Sequence, residues 1–149
     1  MNRGTVSRQE TATLGEGVTH DLAQAVTAAA DRVHEAWVAS DTSKRAALLA
    51  EVCADDVVYA NPVTSSVGVG ALAALITELA AAYPGHTPGR TSGVDAHHDA
   101  ARYTWALSDR AGQSVLAGIE IVRFTPEGRL TFILSFFGQP PQIRYTYQA

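Results

Sequence analysis

The stretch CADDVVYANPV at residues 53–63 decides the fold, because a helical pattern gives way there to a strand. Its centre, VVYA at 57–60, is rich in β-branched and aromatic residues, which favour a strand. An Asn-Pro pair then closes the strand with a turn. The acidic pair before it, Asp55 and Asp56, is predicted to be a solvated corner between helix and strand.

Two helices are predicted upstream of this stretch. The first spans about residues 20–40, and the second begins after Asp41, a residue suited to cap a helix. Residues 1–18 are polar and lack periodicity, so they are expected to form a flexible leader. The first helix carries apolar residues at steps of three and four: Leu22, Val26, Ala29, Val33 and Trp37.

Downstream of residue 63 the sequence predicts one more helix and then strands. A Gly-marked loop leads to an apolar helical stripe from Leu72 to Tyr83, which Pro and Gly end. Helices followed by strands and turns predict an α+β fold with a curved antiparallel sheet packed on the three helices. Residues 19–138 form one domain, and the tail 139–149 is either an edge segment or an arm onto a partner. The predicted later strands are 89–97, 100–108, 114–125 and 129–137.

Composition excludes several classes of protein. With 149 residues, 46% of them hydrophobic, the chain can bury one core, and no apolar run is long enough to span a membrane. The net charge of −4 and the scattered basic residues argue against a nucleic-acid partner. The single cysteine, Cys53, cannot form an internal disulfide. We expect a cytoplasmic protein without metal or organic cofactor.

Three fragments in order carry a resemblance: CADDVVYANPV at 53–63, GIEIVRF at 118–124 and SFFG at 135–138. Together they resemble the nuclear transport factor 2 (NTF2)-like superfamily, a cystatin-like fold, and within it the ketosteroid isomerases and SnoaL-like polyketide cyclases. The resemblance covers roughly residues 20–138. It implies a cone-shaped sheet wrapped around helices, a deep apolar pocket for a hydrophobic small molecule, and a homodimer.

The ketosteroid isomerase pattern is only partly kept. Its base, an Asp before Pro, corresponds to Asn61, and its Tyr donor corresponds to Trp37. An amide cannot accept the proton that a carboxylate accepts, so this sequence lacks the isomerase base. The second oxyanion carboxyl of the isomerases corresponds to Glu120, which keeps the acid.

A second branch, the limonene-epoxide hydrolases, matches at Tyr59-x-Asn61 and at Arg102. Thr104 and Ser135 replace the two Asp residues of that branch, which removes its base and its acid. The epoxide hydrolase interpretation is therefore weakened.

Strand alternation gives predicted pocket residues, because residues two apart share a face. With Glu120 pointing inward, Tyr103 and Trp105 are predicted to lie on the outer face as anchors of the homodimer. The residues predicted to face inward with Glu120 are Arg102, Thr104, Ala106, Ile133, Ser135 and Phe137, joined by Tyr59 and Asn61. The resemblance implies that Trp37, at the end of the apolar stripe of the first helix, also lines the pocket.

Two roles remain open for Glu120. It lies between Ile119 and Ile121, so its burial is costly unless it is paired. One role is a general acid or base, with Arg102 stabilising an oxyanion and Asn61 orienting the substrate. The other is a buried ion pair with Arg102 that only fixes the fold.

Two function classes follow from these roles. The first is an enzyme that moves a proton in the isomerisation, cyclisation or dehydration of a polyketide-, terpenoid- or steroid-like molecule. The second is a non-catalytic ligand-binding or dimeric interaction protein. The cluster DAHHD at 95–99 has residues that bind metals, but adjacent His side chains on a strand point to opposite faces, so a hairpin tip is favoured.

Overall fold

The computed structural model describes residues 12–144. Within this part of the chain, three helices pack on one face of an eight-stranded curved sheet, which confirms the predicted α+β class. Within residues 12–144, none of the helices has the length and apolar character needed to cross a bilayer. The elements in chain order are β1 (Thr13–Leu14), α1 (His20–Trp37), α2 (Thr42–Val52), β2 (Cys53–Asn61), β3 (Thr64–Val67), α3 (Val69–Ala82), β4 (Thr87–Arg90), β5 (Asp95–His97), β6 (Ala100–Ser108), β7 (Ser114–Phe124) and β8 (Leu130–Phe137).

The first two helices begin where the sequence predicts, whereas α3 begins at Val69, within the predicted loop. Thr19 accepts a hydrogen bond from the Leu22 N–H and caps α1, and Asp41 caps α2 in the same way through the Lys44 N–H. Val26, at the centre of the α1 stripe, is fully buried. The hydrophobic core therefore lies between this face of α1 and the inner face of the sheet.

The sheet is mixed rather than wholly antiparallel. Strand β2 pairs in parallel with β8, and β1 pairs in parallel with β5, while β5 to β8 are antiparallel as predicted. The single strand predicted at 89–97 is divided into β4 and β5, each of which pairs with β6. The strand order is β1-β5-β6-β7-β8-β2-β3, with β4 beside β6. The early strand β2 consequently lies beside the last strand, which brings Tyr59 and Asn61 close to β8.

Several expectations about local structure need correction. Asp55 and Asp56 are exposed, as predicted, but they lie within β2, which follows α2 with no residue between the two elements. The predicted loop after residue 63 contains β3, and β1 lies within the segment expected to be a leader. The remainder of that leader, residues 1–11, and residues 145–149 of the tail lie outside the described residues, whereas residues 139–144 form neither helix nor strand.

Candidate active site

A cavity of about 140 Å³ lies between helices α1 and α3 and the inner face of the sheet. Its inner walls are mostly aliphatic and aromatic. Val63, Tyr83 and Phe137 line it while remaining 78%, 41% and 36% exposed, so they form its mouth. A dry cavity of about 150 Å³ holds a benzene-sized molecule, so the enclosed part fits about one ring.

Glu120 on β7 supplies the carboxylate of this cavity and is only 6% exposed. Its neighbour across the sheet is Tyr103 on β6, whose hydroxyl donates to Glu120 Oε1 at 2.5 Å. Burial, followed by the charge of Glu120, raises the pKa of Tyr103 well above its ordinary value. Tyr103 therefore stays protonated and holds one carboxylate oxygen in place.

His34 on α1 is a third polar group at this point. Its Nε2 lies 3.7 Å from Glu120 Oε1, and its ring meets the Tyr103 ring edge-on with centroids 6.3 Å apart. Sequence reasoning missed His34, although it precedes Trp37 by three positions and so shares its side of the helix. That spacing is the signal that could have identified it.

Tyr59 and Asn61 both line the cavity from β2, as predicted. The Asn61 amide donates to the Tyr59 hydroxyl at 3.2 Å, and its carbonyl oxygen accepts from the N–H groups of Val63 and Thr64 at 3.0 Å each. Asn61 thus builds the turn between β2 and β3. Burial raises the pKa of Tyr59 above its usual value, so its phenol remains a donor.

The predicted placement of Arg102 and Thr104 is wrong. Arg102 is exposed on the outer face, where it pairs with Asp95 at 2.8 Å, and Thr104 is exposed and bonded to Thr91. The physical reason is the register of β6 against β7, in which Glu120 is opposite Tyr103 rather than Arg102. Residues directly opposite each other share a face, so the inner face of β6 carries the residues predicted to lie outside. The proposed Glu120–Arg102 ion pair is not formed.

Tyr103 and Trp105 are therefore buried inside the protein, and the prediction that they anchor a dimer is wrong. Trp105 lines the cavity and packs edge-on against Phe137, with ring centroids 5.8 Å apart. Trp37 and Ser135 also line the cavity, as predicted. Ala106 is buried but lies outside the cavity lining.

Ile133 is 1% exposed and belongs to the core rather than to the cavity lining. The DAHHD segment forms the predicted hairpin between β5 and β6, with His98 at φ 51° in the turn. Within residues 12–144, no group of three or more His, Cys, Asp or Glu side chains is arranged to hold a metal ion.

Neither a protein-family model nor a curated protein matches the sequence. Solved structures do match, with coverage of most of the chain. A SnoaL-like family protein from Agrobacterium tumefaciens, named as an isomerase, has a TM-score of 0.71 at 24% identity over 78% of this chain and 99% of its own. An NTF2-like protein from Exiguobacterium has a TM-score of 0.59 at 15% identity over 75% and 99% of the two chains.

A third structure, a Bacillus cereus protein named as a polyketide cyclase, has a TM-score of 0.64 at 14% identity over 86% of this chain and 84% of its own. These similarities confirm the expected fold: the chain has the NTF2-like cone, with SnoaL-like proteins among its structural neighbours. Because the identities are below 25%, they define the fold alone.

Proposed function

We propose that the cavity binds a hydrophobic, oxygenated small molecule and that Glu120 transfers a proton to or from it. The observation that carries this proposal is the state of the carboxylate. Tyr103 holds Oε1, while within residues 12–144 no protein group donates to Oε2, and Glu120 lines the cavity. A buried carboxylate with one fixed and one available oxygen is suited to general acid–base catalysis.

Two neutral hydroxyls assist this chemistry. Ser135 is opposite Glu120 in the sheet and lines the cavity, and the Tyr59 hydroxyl accepts from Asn61, which leaves its own proton for a ligand oxygen. These donors orient an oxygenated ligand beside Oε2. The reaction class is proton transfer that leads to isomerisation, cyclisation or dehydration.

Two other functions were compatible with the sequence, namely epoxide hydrolysis and non-catalytic ligand binding. Arg102 lies outside, and no other arginine within residues 12–144 lines the cavity, so epoxide hydrolysis is not proposed. One observation favours non-catalytic binding. The Asn61 carbonyl oxygen accepts two backbone hydrogen bonds in the turn after β2, which indicates a structural role for this side chain. The proton-transfer experiment separates this alternative from catalysis.

Deuterium exchange tests the proposed function without knowledge of the natural substrate. Single-ring ketones such as cyclohex-3-enone are incubated with the protein in deuterated water and followed by NMR. We expect the wild-type protein to accelerate exchange at carbon beside the functional group, and the Glu120→Gln variant to lose that acceleration. Ligand binding without accelerated exchange would indicate the non-catalytic protein.

We also propose that the protein forms a homodimer, through a different surface from the one first predicted. The outer face of β7 and β8 carries apolar side chains that are neighbours in register, with Ile119 opposite Phe136 and Ile121 opposite Leu134. Phe136 is 49% exposed. A continuous apolar sheet face is suited to a second copy of itself, since a two-fold interface uses the same patch twice.

The substitution Leu134→Glu is expected to convert the dimer to a monomer, because it buries two charges at the centre of that interface. Light scattering at micromolar concentration measures the mass. Val38→Glu, at an exposed valine beside the end of α1, is the matched control and should leave the dimer intact. A wild-type protein with the mass of one chain would contradict the proposal.

A further inference from the structure

The cavity is lined by a carboxylate but by no lysine or arginine of the described residues. That carboxylate belongs to Glu120. Arg90, the guanidinium whose charge reaches Tyr103, is paired through two bonds with Asp31 at 2.7 and 3.0 Å. The positive charge of Arg90 is therefore already balanced by a carboxylate other than Glu120.

His34 is poorly placed to act as the counter-ion. Its Nε2 is 3.7 Å from Glu120, beyond a normal hydrogen bond, and its Nδ1 is buried without a partner in the described part of the chain. His34 therefore forms no hydrogen bond to Glu120 at this distance, and Glu120 Oε2 has no donor among the described residues.

The negative charge of Glu120 disfavours a second negative charge in the cavity. After burial, the charge of Glu120 contributes to the raised pKa of both Tyr59 and Tyr103, which means that a negative charge at either hydroxyl is repelled. An anionic ligand would meet this repulsion, whereas a cation would be attracted by it.

The walls of the cavity also suit a cation. Trp37, Tyr83, Trp105 and Phe137 contribute aromatic rings to the lining. The indole Nε1 atoms of Trp37 and Trp105 are buried, so the two rings present carbon rather than their N–H groups. Aromatic carbon surface attracts ammonium groups through its quadrupole, most strongly where water is excluded.

We infer that the cavity selects a hydrophobic cation, an ammonium or iminium ion on about one apolar ring, with its charge beside Glu120 Oε2. The inference rests on the proposed function for the location of the ligand and for the role of Glu120, and it assigns a positive charge to the part of the hydrophobic ligand that lies beside that carboxylate. Proton transfer fits such a ligand. When the carbon beside an iminium gives a proton to Oε2, the C–H pair becomes a C=C bond, the C=N pair moves onto nitrogen, and both charges disappear.

Three probes of similar size test the inference: phenyltrimethylammonium, its neutral isostere tert-butylbenzene, and the anion benzenesulfonate. The chain has two tryptophans, Trp37 and Trp105, and both line the cavity, so their fluorescence reports binding directly. We expect the cation to bind about 10-fold more tightly than the neutral probe, with the anion weakest.

The Glu120→Gln variant should bind the cation and the neutral probe about equally, because the charge is lost while the shape is kept. Glu78→Gln, on the exposed side of α3, is the matched control and should retain the wild-type preference. Equal affinity for the cation and the neutral probe in the wild type, or tighter binding of the anion, would overturn the inference. Ketone exchange that still depends on Glu120 would then leave the proposed proton transfer standing.

Discussion

Replacing Glu120 with glutamine should lower the rate of proton transfer about 100-fold or more, with a smaller effect on the affinity for a neutral ligand. Glutamine keeps the length and shape of the side chain, and its amide can still bond to the Tyr103 hydroxyl. It cannot accept or release a proton, however, and general acid–base groups typically contribute about 10²- to 10⁴-fold. The readout is kcat for deuterium exchange on a ring ketone, measured beside the dissociation constant of tert-butylbenzene.

Glu127→Gln is the matched control for this variant. Glu127 lies in the exposed turn between β7 and β8, so the same chemical change there should leave kcat unchanged. If Glu120→Gln retains full activity but unfolds at a lower temperature, Glu120 is only a structural partner of Tyr103. That result would remove the group on which the proposed catalysis depends.

Strand β6 shows why the sequence predicted the acid of the site but not its partner. In ARYTWALS the odd-numbered positions carry Tyr103, Trp105 and Leu107, the larger apolar side chains, and all three are buried. Alternation alone therefore favours this face as the inner one. Matching Arg102 to an arginine of the epoxide hydrolases selected the opposite face, and a shift of one residue reverses every side chain of a strand.

Other features depended on tertiary structure that the sequence does not encode locally. The apolar face of α1 could be predicted from the sequence because five apolar residues repeat at helical spacing. Strand β3, in contrast, consists of Thr64–Val67 with two serines, and its strand conformation depends on pairing with β2. The approach of His34 to Glu120 joins a helix to a strand 86 positions later along the chain (120 − 34), which no local pattern specifies.

Arg45→Ala is expected to lower the free energy of unfolding strongly. Arg45 on α2 is 8% exposed, and its guanidinium reaches the last turn of α1. Its Nε donates to the Ala36 carbonyl at 3.1 Å, and Nη2 donates to the Ala39 carbonyl at 2.7 Å. The positive charge thus lies at the negative end of the α1 dipole, just where Trp37 enters the cavity wall.

The same side chain connects α1 to α3, because Nη1 donates to the Thr77 hydroxyl at 3.0 Å. Removing Arg45 removes a donor from the partly buried Ala39 carbonyl and from the Thr77 hydroxyl, leaves the Ala36 carbonyl with the Ala39 N–H at 3.4 Å, and opens a cavity among three helices. Since an unsatisfied buried polar group costs about 1–3 kcal/mol, we expect a total loss of about 3 kcal/mol or more. For a chain of this length, that loss lowers the melting temperature by about 10 °C.

Thermal and urea unfolding, followed by tryptophan fluorescence, measure this loss, and Arg123→Ala is the control. Arg123 also bonds to an acceptor at short distance, 2.6 Å from Asp99, but both partners are more than half exposed. An exposed ion pair of this kind contributes about 0–1 kcal/mol, so the control should unfold close to the wild type. Arg45→Lys keeps the charge without the planar fork and should lie between the two. Equal stability of Arg45→Ala and Arg123→Ala would contradict this prediction. It would show that water replaces the Arg45 guanidinium at no cost in free energy, and that the packing of the three helices alone keeps Trp37 in the cavity wall.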